Sequence, residues 1–122
     1  MTKILLIDDD NAYRKVVKIY LKKAGYLITE ATDGELALKL CEQNHFDLVL
    51  IDMFMPKFDG VSVIFELKNR FRFSKIIAMT GACFCNESIK DILSLATECG
   101  ASAVYEKTTN MNYLLNTVQN MV

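Results

Sequence analysis

The chain has 122 residues, with 14 Lys plus Arg against 15 Asp plus Glu for a formal net charge of −1. That length suits one domain spanning residues 1–122 with a core that needs no staples, and 52% hydrophobic with 24% charged residues excludes a disordered or collagen-like chain. A charge so near zero argues against direct nucleic-acid binding or an anionic membrane surface as the main task. The longest apolar runs, such as Ile4-Leu5-Leu6-Ile7 and Leu48-Val49-Leu50-Ile51, are strand-sized and end at or beside Asp, far short of a membrane span. Met1-Thr2-Lys3 leads straight into the first run without the apolar region of a signal peptide, so a cytoplasmic location is expected. Cys41, Cys83, Cys85 and Cys99 are then expected as reduced thiols.

Strand-like and helix-like segments alternate from end to end. Lys3–Ile7 is a continuous apolar run, a strand buried on both faces. Asn11–Ala24 follows as a helix, with Tyr13, Val17, Tyr20, Leu21 and Ala24 at helical spacing and Gly25 as its stop. Leu27–Ala31 is a short second strand, and Asp33 or Thr32 caps a helix running to about Asn44. Asp47–Ile51 is the third strand, and Asp59 or Gly60 opens a helix that ends near Arg70. Lys75–Met79 is the fourth strand, Asn86 caps a helix to about Cys99, and Gly100 stops it. Ser102–Tyr105 is the fifth strand, and Asn110 caps a last helix. Five such units with short connections predict an α/β fold, a parallel sheet with helices on both faces. Right-handed crossovers with one reversal of winding make it a doubly wound, three-layer sandwich. With the fifth helix at its end, the sequence is expected to carry no output domain of its own and to be a stand-alone module or an excised piece.

Ligands of such sheets bind at the carboxyl ends of the strands. Strand one runs into Asp8, Asp9 and Asp10, strand three into Asp52, strand four into Thr80, and Lys107 follows strand five. Gathered carboxylates repel one another, and a divalent cation removes the problem. Mg²⁺ takes a few carboxylate oxygens and keeps room for a phosphate oxygen. An Asp beside it can act as a nucleophile toward phosphorus, with the metal, Lys107 and Thr80 each covering one phosphoryl oxygen.

These residues resemble a known family, the receiver domain of two-component response regulators, of the chemotaxis-regulator-like kind. The resemblance runs from Lys3 to about Met121. It rests on Ile7-Asp8-Asp9, on Asp52-Met53-Phe54-Met55-Pro56-Lys57-Phe58-Asp59-Gly60, on Met79-Thr80-Gly81, and on Gly100-Ala101 with Lys107. It implies a flavodoxin-like sheet of five parallel strands in the order 2-1-3-4-5. It further implies Asp52 as the phosphorylation site, and Asp9, Asp8 through water, Asp52 and the Phe54 carbonyl as the Mg²⁺ site. Thr80 and Lys107 would hold the phosphoryl oxygens. The donor implied is a sensor histidine kinase or a histidine phosphotransfer protein, and the surface of helix four, strand five and helix five would control a downstream output protein or domain. Some family members dimerise through that surface and others stay monomeric, which leaves a homodimer open.

Two positions depart from the family pattern, and two more bear on phosphate lifetime. Thr108 stands where a cis-proline normally follows the Lys, so a trans Lys107–Thr108 bond is expected. The position three before the Lys, often an aromatic switch residue, is Val104; Tyr105 comes one later, on the opposite strand face. Phe54 and Ala82, at the two positions that tune phosphate lifetime in the family, cannot hydrogen-bond an attacking water, which predicts slow self-dephosphorylation. Thr108 and Val104 are also the support for an alternative, an atypical receiver acting as a constitutive interaction or dimerisation module. An Asp-nucleophile phosphatase lacks its general acid, since Phe54 occupies that position, and no cap domain is present. The protein is therefore expected to catalyse only its own phosphorylation and dephosphorylation.

The remaining features have plain readings. Asp10 reads as a helix cap. Cys83-Phe84-Cys85 has no second pair for zinc, and His45 lies elsewhere. Arg14, Lys15, Lys18, Lys22 and Lys23 decorate helix one, where kinases and phosphotransfer proteins dock in the family, and Lys68, Arg70, Arg72 and Lys75 form a solvated rim. Met53, Met55 and Met79 read as adaptable packing.

Overall fold

Apolar runs without alternation make strands covered on both faces, and three of them lie side by side at the centre of the computed structural model of this protein. Residues 1–55, 58–71, 75–81, 87–107 and 110–122 are described. The elements are β1 (Lys3–Ile7), α1 (Asn11–Lys23), β2 (Leu27–Ala31), α2 (Gly34–Gln43), β3 (Leu48–Asp52), β4 (Phe54–Met55) and β5 (Phe58–Asp59). They continue with α3 (Gly60–Arg70), β6 (Lys75–Thr80), α4 (Glu87–Cys99), β7 (Ala103–Glu106) and α5 (Met111–Met121). The main sheet is parallel throughout in the order β2-β1-β3-β6-β7. With the short ribbon set aside, that is the expected 2-1-3-4-5. The ribbon itself, an antiparallel pair of β4 and β5 in which Phe54 faces Asp59, was not anticipated. Two-residue strands leave no periodic signal in a sequence.

The period of two along each strand divides the core into two layers. Leu5, Val49 and Ile76 point to the layer of α2, α3 and α4, where Ala37, Ile64 and Ala96 are buried. Leu6, Leu50 and Ile77 point the other way and meet Val17 and Leu21 of α1 and Leu114 and Val118 of α5. Val104 packs against the first layer and Tyr105 lies fully buried in the second, so the two do face opposite sides.

Among the described residues, four helix starts are held by a side-chain oxygen that accepts a backbone N–H of the first turn, which satisfies a donor the helix leaves unpaired. Asp10 accepts from Tyr13, Asp33 from Leu36, Asp59 from Val61 and Asn110 from Tyr113. Asp33 and Asp59 thus cap where Thr32 and Gly60 were the other candidates. The expected cap Asn86 lies outside the described residues. β3 and β6 each run one residue further than the apolar pattern suggested, so Asp52 and Thr80 close their strands instead of following them.

Gly60, the first residue of α3, packs directly on the segment after β3. A Cβ there would stand 2.8 Å from the Met53 Cα and 3.0 Å from its carbonyl oxygen. Backbone cannot yield as a flexible side chain can, so Gly60→Ala is expected to cost about 1–3 kcal/mol of stability by overpacking. Urea unfolding measures this, and an unchanged midpoint would contradict the packing described.

Candidate functional site

All five parallel strands deliver their carboxyl ends to one edge, and strand parity decides which side chains meet there. Asp52 in β3 has the parity of Leu48 and Leu50, and so do Asp8 after β1 and Lys107 after β7 relative to their own strands. All three therefore lean toward the α1 and α5 side. Asp8 and Thr80 are fully buried and Asp52 is nearly so. Lys107 Nζ lies 2.6 Å from Asp8 Oδ2 and 3.2 Å from Asp52 Oδ2. Its backbone N–H donates to the Thr80 carbonyl at 2.8 Å, which ties the start of the segment after β7 to the end of β6. The Thr108 position, and with it the expected trans bond, lies outside the described residues, as do Ala82, Cys83 and Cys85.

The other carboxylate oxygens are held by backbone. Asp8 Oδ1 accepts from the Asp10 N–H at 2.9 Å and Asp52 Oδ1 from the Phe54 N–H at 3.1 Å. Asp9 is exposed. One oxygen from each of Asp8, Asp9 and Asp52 can be chosen so that the three lie within 4.8 Å of one another. Asp8 Oδ2 is buried and close to Lys107, yet it makes no well-directed hydrogen bond. A hard cation that takes carboxylate oxygens and keeps several waters fits this donor set.

The electrostatics follow from burial. Burial pushes the Asp8 carboxyl up from its ordinary range, and the Lys107 ammonium only partly counters this. Burial would lower Lys107, but Asp8 and then Asp52 outweigh it and hold the ammonium above its usual value. Burial raises the Cys41 thiol to about 11, so that cysteine is inert.

Two residues matter here that sequence reading placed only in a basic cluster and on a core stripe. Arg14 is turned inward. Its Nη1 donates to the Asp8 carbonyl at 2.7 Å and its Nε pairs with Glu30 at 3.2 Å, so it joins β1, α1 and β2 behind the site. Lys18 also pairs with Glu30, at 3.0 Å. Of the five basic residues of α1, Lys15, Lys22 and Lys23 are exposed. Tyr13 lies over Lys107, with the ammonium 4.6 Å from the ring centroid. The available signal was the stripe Tyr13, Val17, Leu21, whose first member must stand at the carboxyl edge. Met53, Met55 and Met79 are buried packing, and His45 is a largely exposed loop residue beside Asp47.

The sequence profile of the response regulator receiver domain matches residues 4–119. The chain belongs to the response regulator receiver family. Receiver domains are phosphoacceptor signalling modules of two-component systems, and they work with histidine kinases and output domains. The chain is similar to the alkaline phosphatase synthesis transcriptional regulatory protein PhoP of Bacillus subtilis, 33% identical over 99 residues, which is 81% of this chain and 39% of that protein. It spans about a quarter to two-fifths of the length of the curated relatives it matches. A CheY-like receiver domain protein from Methanospirillum hungatei has a TM-score of 0.89 at 25% identity, covering 98% of this chain and 92% of that one. The response regulator TrrA of Thermotoga maritima, solved in complex with Mg²⁺-BeF, has a TM-score of 0.87 at 30% identity over 100% of both chains. Nothing in these likenesses favours a constitutive interaction module.

Lys18 first, and Arg14 after it, hold the Glu30 carboxyl below its ordinary 4.5 despite the opposing effect of burial. The receiver therefore carries the full benefit of this cluster above pH 4.5 and loses it as pH falls through the lowered value. Glu30→Gln is expected to cost about 1 kcal/mol at pH 7, and the difference from wild type should shrink below pH 4. A difference that stays constant to pH 3 in chemical denaturation would contradict the assignment.

Proposed function

We propose that residues 1–122 form one receiver domain that takes a phosphoryl group onto Asp52 from a phosphohistidine of a sensor kinase or phosphotransfer protein. The observation that carries this is the Lys107 ammonium held between the buried carboxylates of Asp8 and Asp52, with a carboxylate oxygen of Asp9 within 4.8 Å of an oxygen of each. Asp8, Asp9, Asp52 and the Phe54 carbonyl would hold Mg²⁺, which supplies charge neutralisation for the transferring group. A carboxylate oxygen of Asp52 forms the new P–O bond as the P–N bond of the donor breaks, and the electron pair leaves on the imidazole nitrogen. Lys107 covers a phosphoryl oxygen, having only a short way to move from its place 3.2 Å from Asp52. Thr80 offers its hydroxyl from the end of the neighbouring strand. The protein catalyses this step and the later hydrolysis of the aspartyl phosphate, in which water takes the phosphoryl group as inorganic phosphate and the Asp52 carboxylate is regenerated, and no reaction on a separate metabolite.

The output is a changed surface of α4, β7 and α5 read by a protein partner or output domain. No helix among the described residues is long and apolar enough to cross a membrane, and the reaction belongs to the cytoplasm, where a kinase would meet it.

Intact-protein mass after incubation with acetyl phosphate and Mg²⁺ tests the reading. One added phosphoryl group is expected, absent in Asp52→Asn and in the presence of a chelator. No addition to the folded wild type would overturn it. Phe54 has a half-exposed side chain that cannot orient water, so decay after donor removal is expected to be slow. Phe54→Asn should speed it about tenfold, the equivalent of one unit of log rate; an unchanged decay would contradict the role of this position.

A further inference from the structure

We propose that Tyr13 is a positioning residue for Lys107, holding its ammonium by a cation–π contact in place of the restraint a following proline would supply. The proposal rests on the reading of Lys107 as the phosphoryl-binding lysine. Lys107 ends in a charge on four rotatable bonds, and Thr108 leaves the next backbone position without a proline ring. The described restraint on its backbone is one hydrogen bond to the Thr80 carbonyl. Its side chain is 14% exposed and lies with Nζ 4.6 Å from the Tyr13 ring centroid. At that distance, in a partly desolvated site, the face of an aromatic ring attracts a cation appreciably.

The ring is well fixed. Tyr13 stands in the first turn of α1, where its N–H donates to the Asp10 cap at 3.1 Å. It packs against the buried layer of α1 and α5. Its hydroxyl is buried beside Tyr105 but makes no well-formed hydrogen bond. Such a hydroxyl adds a desolvation cost and no polar anchor, so the useful part of Tyr13 is its ring. Tyr105 in turn donates to the Asn110 carbonyl at 3.3 Å and stacks on Tyr113 at 6.1 Å, which backs the ring against α5.

A ring face has a further property that a carboxylate partner lacks. It attracts an ammonium without demanding one N–H direction. Lys107 now pairs with Asp8 and Asp52, and on phosphorylation it must exchange a carboxylate oxygen for a phosphoryl oxygen. Tyr13 can hold the charge through that exchange.

The test uses the full chain. In wild type, the ε-methylene protons of Lys107 should be shifted upfield by the Tyr13 ring current; the shift should vanish in Tyr13→Leu and survive in Tyr13→Phe. The rate of phosphorylation by acetyl phosphate should fall about tenfold in Tyr13→Leu, in line with a partly desolvated cation–π contact. Tyr13→Phe should rescue it. In a Lys107→Ala background, Tyr13→Leu should cause no further loss, because residues acting through one contact are not additive. An unshifted Lys107 in wild type, or an equal loss from Tyr13→Leu with and without Lys107, would overturn the proposal. A wild type that shows the ring-current shift and takes no phosphoryl group would instead overturn the reading of the site while leaving the Tyr13–Lys107 contact standing.

Discussion

Two carboxylates shut away from water and one ammonium between them set the character of this protein. Asp8 and Asp52 are buried at the sheet edge, Asp9 stands beside them, and Lys107 reaches both buried groups. Three carboxylates against one ammonium leave the cluster with a formal excess of negative charge. A buried charge without a partner costs several kcal/mol, so Lys107 serves as an internal counter-ion that makes the fold tolerable before any ligand arrives. The residual negative charge suits a divalent cation, which on the proposed reading would share the carboxylates and free Lys107 to meet a phosphoryl group. The backbone N–H groups of Asp10 and Phe54 hold one oxygen of each buried carboxylate and leave the other for this exchange.

The topology makes that concentration of charge unavoidable. Parallel strands joined by helices end on the same edge, and β1 and β3, whose ends carry the two carboxylates, are adjacent in the centre of the sheet. The direction of winding reverses at β1, and in such sheets the carboxyl ends at the reversal are where ligands bind. Parity then sends Asp8, Asp52 and Lys107 to the α1 side, where Tyr13 and Arg14 wait, and sends Thr80 to the other. Arg14 braces the Asp8 carbonyl from behind through Glu30. The capping aspartates Asp10 and Asp59 belong to the same edge but act on helices, so acidic residues here divide into two trades by geometry alone.

Much of this was legible in the sequence because it depends on periodicity. The five apolar runs, the glycine stops and the Asp caps marked the alternation of strands and helices, the resemblance to receivers implied the strand order, and Asp8, Asp52, Thr80 and Lys107 fell at the predicted strand ends. Boundaries slipped by one residue at β3 and β6, where a polar residue continues a ladder that an apolar pattern does not record. The β4–β5 ribbon was invisible because two residues have no period. Arg14 was grouped with surface lysines because its inward turn depends on Glu30, sixteen residues away. Tyr13 falls on the apolar stripe of α1 and packs, half-buried, against the core, but its height above Lys107 depends on the tilt of α1 against the sheet. Tertiary placement of this kind has no signature in composition or spacing.

The central claim is that Lys107 stands in for a cation at a carboxylate site. Mg²⁺ titration of the unphosphorylated chain, followed by carbon-detected shifts of the Asp8, Asp9 and Asp52 carboxyl groups, tests it most directly when wild type is run beside Lys107→Ala. Saturable shifts of all three carboxyls are expected, with tighter binding in Lys107→Ala because the internal competitor is gone. Carboxyl shifts that never saturate, or Mg²⁺ binding that weakens when Lys107 is removed, would contradict the account.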